Sequence, residues 1–441
     1  MPQRTERIGA ELTAAGHDQA LVERLLRLVL AGGEQDVARI RPLALARAWG
    51  APPEAAIALC LEATRRGLLG LSWDLLCPRC RGAKVRAPSL DELPRGAHCP
   101  TCAVDYGREF SRNVEATFHP AAAIRPLVAG EFCLLGPVST PHILAHLTLE
   151  PGERLAPPLD LPPGPYRLRT LEPGPELALD HAGGPLPTVR YDGASLTAEG
   201  DGPDLVLLNA SLVPRTLVLE ERAWVADALT ADRLTALQAF RDLFSDQVLR
   251  PGDEVGIERV AILFSDLRGS TALYERVGDA AAYQRVREHF GYLTGLVRQH
   301  DGAVVKTIGD AVMAVFADPA RGVAAALAMQ EHVGELNLDA AAPLVLKLGL
   351  HAGPCIAVTL NDRLDYFGRT VNLAARLQGQ SRGGDVVVSA ELAGDPEVAP
   401  LLAGRAASRE KVLLRGFAEP VPFLRLGPLS PAPGALPRPA T

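Results

Sequence analysis

Apolar positions along this chain fall into two periods, and the changes from one to the other mark where elements should begin and end. Val260 to Phe264 is an unbroken apolar run, as expected of a buried strand. It leads into Ser265-Asp266 and a Leu-Arg-Gly-Ser-Thr loop. Beyond that, Tyr283, Val286, Phe290, Leu293 and Val297 recur at helical spacing. In Ala303–Phe316, read AVVKTIGDAVMAVF, β-branched runs flank a Gly-Asp pair, which predicts two antiparallel strands joined by a tight turn. Leu344, Leu346, Leu348 and Leu350 alternate along one face of a later strand. The resulting order is strand (259–266), helix (272–299), strand (303–308), strand (311–316), helix (319–336), strand (344–351). Further strands are predicted near Cys355–Leu360, Asp385–Ser389, Val412–Leu414 and Val421–Leu426, with a helix over Gly368–Gln378.

The rest of the chain reads differently. Residues 1–75 are rich in Ala, Leu and Arg and suggest short helices, with Leu21, Leu25, Leu28 and Val29 on one face, followed by a possible strand after Gly67. That layout is winged-helix-like. Its apolar second helix offers few side chains that could hold phosphates, which favours a packing module over a DNA reader. Residues 113–222 alternate short strand-like runs (Phe132–Leu135 and Ile143–Leu149 among them) with Pro/Gly turns, as in a β-sandwich-like domain. Residues 223–252 carry the stripe Leu229, Leu234, Leu237, Phe240, Leu243 and Phe244, which predicts a linker helix ended by Pro251-Gly252. The Pro- and Ala-rich tail, 428–441, is expected to be disordered.

At 441 residues the length suggests about three domains. A net charge of −7 argues against general nucleic-acid or membrane-surface binding. No apolar run approaches the ~20 residues of a membrane span, and the first residues lack a signal-peptide core, so a cytoplasmic protein is expected. Cys77-Pro-Arg-Cys80 and Cys99-Pro-Thr-Cys102 stand eighteen residues apart. Two such pairs fit four thiolates around one tetrahedral Zn²⁺, a closed site and therefore a structural one, placing a zinc ribbon at 76–112. The alternative is a redox pair. Cys60, Cys133 and Cys355 stand alone.

The strand ending at Asp266, the loop through Gly269, and the helix start at Ser270 and Thr271 form a cradle whose free N–H groups suit an anion. A carboxylate at the mouth of a phosphate cradle needs a cation between them. Asp266 and Asp310 together therefore suggest Mg²⁺. FSDLRGST, VVKTIGDAVMAVF, LHAGP and LDYFGRTVNLAARL, in this order and spacing, resemble the catalytic domain of class III adenylate/guanylate cyclases. The resemblance covers 253–427 and implies a ferredoxin-like fold, the β-α-β-β-α-β order already noted.

Much more follows from the resemblance alone. It implies attack of a ribose 3′-oxygen on the α-phosphate with loss of pyrophosphate, assisted by two Mg²⁺ (or Mn²⁺) ions held by Asp266, Asp310 and the Leu267 carbonyl. It puts Asn372 near the ribose and Arg376, four residues on along one helix face, on the phosphates. Arg415 would hold the terminal phosphates. Lys306 and Asp365 would read the base; a Lys donor and an Asp acceptor complement adenine, and guanylate cyclases carry Glu and Cys there, so ATP is favoured. Metal and base residues of one pocket come from different subunits in this family, so a homodimer is implied. The alternatives are a guanylate cyclase or a silent cyclase-like scaffold, and the N-terminal half would receive an unknown regulatory ligand or protein.

Overall fold

The computed structural model describes residues 2–127, 140–222, 226–337 and 343–429. Two compact units are present: residues 1–108 with 112–230, and residues 231–441 with 109–111. Phe132–Leu135, Cys133 and the tail from 430 lie outside the described residues.

In the first unit, helices Pro2–Ala14, Gln19–Ala31, Pro42–Trp49 and Pro53–Arg65 come first. Asp18 caps the second by accepting from the Leu21 N–H at 3.0 Å. Strands outnumber helices from there on, and the winged-helix-like layout is not confirmed. The run after Gly67 becomes Leu69–Leu76, the buried central strand of a three-stranded sheet between Ala83–Ala87 and Val114–Pro120. A wing would need an exposed hairpin. The sheet's buried Asp74 and Glu115 are held by Arg39, Arg41 and Arg86, as buried carboxylates require. Farther along, two four-stranded sheets share one core, with Leu149, Tyr166, Leu168, Leu217 and Leu219 meeting Val189, Tyr191 and Leu207.

The second unit is one eight-stranded sheet. Its order is Gly302–Ile308, Ala311–Phe316, Glu254–Leu267, Leu346–Leu360, Asp385–Ser389, Val421–Leu429, Arg405–Val412, with Arg363–Phe367 paired to Leu346–Leu360 beside that path. The first four strands, numbered by sequence, run 2-3-1-4, the ferredoxin-like arrangement. All pairings are antiparallel except Leu346–Leu360 with Asp385–Ser389. Helices Asp279–Gln299 and Pro319–Leu336 cover one face and bury Val286, Leu293, Val297, Val323 and Met329.

Two helices predicted as continuous are broken. The 272–299 helix is Ser270–Val277 followed by Asp279–Gln299. Gly278 between them has φ +77, a backbone that side-chain-bearing residues rarely adopt. Tyr283, predicted on the buried face, is 65% exposed, because the buried stripe of Asp279–Gln299 runs through Ala282, Val286, His289, Leu293 and Val297 and leaves Tyr283 at its edge. The linker helix is likewise two short helices, Ala231–Thr235 and Gln238–Leu243, with Leu237 extended between them. Long-range hydrogen bonds to the sheet, described below, take the place of the missing helical turns.

Candidate functional site

Asp266 is the penultimate residue of Glu254–Leu267, and Asp310 is in the turn beginning Ala311–Phe316. The two strands are adjacent, with Ser265 opposite Val312. Continuing that register pairs Asp266 with Ala311 and Leu267 with Asp310, so the two carboxylates are at the same end of neighbouring strands, one residue out of register. Asp310 Oδ2 is buried and has no hydrogen-bond partner. A buried carboxylate oxygen left so is costly unless a cation completes it, so the pair fits a divalent metal. Leu267 is buried at the strand end, Gly269 caps the helix with φ +72, and Ser270 and Thr271 open that helix.

Asp266 sits in an open cleft of about 480 Å³ that Gly269, Lys347 and Arg382 also line. Lys347 Nζ is 3.9 Å from Asp266 Oδ2, and Gln378 Nε2 donates to the same oxygen at 3.4 Å. Gly349 makes this approach possible, since a Cβ there would meet Gln378 N at 2.0 Å. Behind Asp310, His289 is fully buried, and burial pushes its pKa down to about 4 despite the nearby Asp310 charge. It is therefore neutral at physiological pH.

Lys306 and Asp365 are brought together from different elements. Lys306 Nζ donates to Asp365 Oδ2 at 2.5 Å. A β-bulge between Val304 and Lys306 redirects the strand at this point. Asp365 is 5% exposed, and its other oxygen accepts from the Tyr366 N–H at 2.8 Å. Asn372 and Arg376 are on the helix Arg369–Gln378 and are exposed, as is Arg415 in the turn before Val421–Leu429. Among the described residues, no hydrogen bond or ion pair joins these three to Asp266 or Asp310.

Residues 254–399 match the family model described as the adenylate and guanylate cyclase catalytic domain. The segment is a class III cyclase catalytic domain. Residues 6–136 match a model described only as a family of unknown function. The cyclase domain carries the likeness to curated proteins. An uncharacterized protein of Mycobacterium tuberculosis, Rv2212, is 36% identical over 170 residues, covering 38% of this chain and 42% of that protein. Adenylate cyclase 2 of Rhizobium meliloti is 30% identical over 180 residues, covering 37% and 48%. The chain thus spans less than half the length of either. The crystal structure of the adenylyl cyclase CyaB from P. aeruginosa aligns with 40% of this chain and 95% of that one, at 24% identity and TM-score 0.36.

Sequence reasoning missed Lys347, Gln378 and His289 beside the cyclase carboxylates. Lys347 had a signal: it is the one charge in an otherwise apolar strand, opposite in phase to the alternating leucines. The other two had none, since each is placed by a helix packing from far along the chain.

In the first unit, Cys77, Cys80, Cys99 and Cys102 are all buried, with their sulfurs within 4.8 Å of one another. Cys80 Sγ and Cys99 Sγ are 3.8 Å apart. A tetrahedron with metal–sulfur arms of ~2.3 Å has edges of ~3.8 Å, so the cluster fits Zn²⁺. The residue after each pair, Arg81 and Ala103, has a left-handed backbone, with φ 55 and 49, and the repeated turn aims both thiols inward. Among the described residues no helix is long and apolar enough to cross a membrane.

Proposed function

We propose that this protein is an adenylate cyclase that converts ATP to cyclic AMP and pyrophosphate as a homodimer. The observation that carries the choice of ATP is the Lys306–Asp365 contact. Holding the ammonium against one carboxylate oxygen fixes a donor next to an acceptor, the pattern that an adenine edge complements. Lys306 retains two further N–H donors for the base.

Divalent cations bound at Asp266, Asp310 and the Leu267 carbonyl would favour ionisation of the ribose 3′-hydroxyl and neutralise the leaving oxygens. The chain's own residues orient and hold charge. Gly269, Ser270 and Thr271 offer free N–H groups to phosphate. Arg376 balances charge gathering on the α-phosphate, Asn372 orients the ribose, and Arg415 holds the terminal phosphates. Lys347 adds a cation to the cleft that Asp266 lines.

The dimer is supported by two features. Asn372 and Arg376 are exposed and unbonded to the metal side of their own chain, so a second copy would complete each pocket. Ile308, Phe367 and Leu413, near Lys306, Asp365 and Arg415 in sequence, are exposed apolar side chains that such a copy would cover. The cysteine cluster would hold one structural Zn²⁺ in an N-terminal half that takes a regulatory input. Purified protein given ATP or GTP with Mg²⁺ or Mn²⁺ should yield cyclic AMP. Cyclic GMP as the main product would overturn the choice of base, and no cyclic product from either nucleotide would favour a silent scaffold.

A further inference from the structure

Ala231–Thr235 and Gln238–Leu243 precede the cyclase fold in sequence, and their bonds to it converge on two places. Gln238 Oε1 accepts from the Val304 N–H at 2.7 Å. Arg241 Nε donates to the Thr235 carbonyl at 2.8 Å, and its Nη1 donates to the Leu364 carbonyl at 2.9 Å. The same guanidinium lies 5.3 Å over the Tyr366 ring, and the Tyr366 hydroxyl meets Thr235 Oγ1 at 3.3 Å. Leu364 and Tyr366 flank Asp365. Val304 begins the bulge that ends at Lys306.

Strand pairing sets the backbone of Val304 and Leu364 within the sheet, opposite Ala314 and Thr359. A cavity of about 300 Å³ lies between these strands and the preceding segment, bordered by Phe240, Phe244, Val304, Val305 and Leu364. Across a void the lining atoms lose their van der Waals partners. Contact between these strands and the segment is therefore incomplete around the cavity, where hydrogen bonds join the two, and Arg241 makes the central ones.

We infer that Arg241, assisted by Gln238, is a positioning residue for nucleotide base recognition. It acts through the backbone beside Asp365 and Lys306 and never touches the nucleotide. This rests on the reading of Lys306 and Asp365 as base-reading residues. It makes the segment ahead of the catalytic fold a determinant of KM and base preference, so an input that moves Arg241 would alter ATP affinity before it altered the chemical step.

The test uses the full chain. KM and kcat are measured with ATP and GTP for Arg241→Ala, Arg241→Lys and Gln238→Ala, beside equilibrium displacement of a fluorescent ATP analogue. Arg241→Ala should raise KM for ATP about tenfold, the worth of a lost charge-assisted hydrogen bond, and narrow the preference for ATP over GTP, with kcat within about threefold. Arg241→Lys, able to reach one carbonyl of two, should recover part of the loss. Arg298→Ala, which removes an exposed pairing with Asp242 on the same segment, should change neither. A lowered melting temperature with unchanged KM and base preference, or equal losses with both nucleotides, overturns the inference while leaving the cyclase reading intact. If wild-type protein makes no cyclic nucleotide, the cyclase reading fails, and the displacement assay still decides: analogue affinity unaffected by Arg241→Ala, or no binding at all, overturns the inference too.

Discussion

The two sites that fit metal ions are built in opposite ways. The four cysteines of the N-terminal unit are buried and lie within bonding distance of a common centre, and every ligand comes from one stretch of one chain. The cyclase domain's Asp266 and Asp310 come from the same end of adjacent strands; Asp266 lines an open cleft, and Asp310 keeps one buried carboxylate oxygen without a partner. The first site is finished by the fold, and its chemistry is holding. The second is left unfinished, and under the proposed function substrate and a second copy would supply the rest. The same division separates residues inside the cyclase domain. His351, in the LHAGP motif, is buried with Nδ1 2.8 Å from Ser389 Oγ, whereas Asn372 and Arg376 are exposed.

The sharpest way to break the contrast is to remove an open carboxylate. Asp310→Ala should lower cyclic AMP formation about a thousandfold, from lost charge stabilisation at the reacting phosphate, while circular dichroism and melting stay near wild type. Retained turnover would remove Asp310 from the chemistry. A mixing experiment addresses the second copy. Asp310→Ala and Lys306→Ala are each expected to be nearly inactive, although both are on one hairpin. If a pocket takes Asp310 from one subunit and Lys306 from the other, a heterodimer keeps one intact pocket. Random pairing then restores roughly a quarter of wild-type activity. No recovery, with heterodimers shown to form, would place both residues in the same pocket. The closed site should behave otherwise: Cys77→Ser should lose bound zinc and destabilise the N-terminal unit by several kcal/mol. Unchanged zinc content and melting would show that the cluster is not a metal centre.

The closed features were the more legible in sequence. Two C-x-x-C pairs specify their knuckles locally, and AVVKTIGDAVMAVF specifies its hairpin by β-branched runs and a Gly-Asp turn. The four-strand ferredoxin-like order was readable because each strand and helix has a clean period. What failed depended on distant partners or on a single backbone angle. Gly278 interrupts the helix expected over 272–299. The stripe from Leu229 to Phe244 looks like one helix, yet Gln238 and Arg241 bond to Val304 and Leu364, over sixty and over a hundred residues away. The strand after Gly67 was legible, yet nothing local reveals that Val114–Pro120 will pair with it. Lys347 and Gln378 reach Asp266 only through strand register and the close approach at Gly349.

The smallest effect tests whether a motif residue belongs to the fold or to the chemistry. Burial lowers the His351 pKa below 6.5; the Glu391 charge raises it, the Arg369 charge lowers it further, and burial dominates. The folded state thus favours neutral imidazole more than the unfolded state does. Stability from this group is fully present above the unfolded pKa and is lost as pH falls through the window below 6.5, because the unfolded chain then binds more protons. His351→Asn keeps a polar group near Ser389 and cannot titrate. Its melting temperature should fall less than that of wild type between about pH 7 and about pH 5, and its kcat/KM at neutral pH should stay within about twofold. An equal acid loss in both proteins would mean that His351 takes up its proton equally in the folded and unfolded states, so that burial does not hold it neutral. A large drop in kcat/KM at neutral pH would move this histidine from the closed, fold-holding class into the open one that contacts substrate.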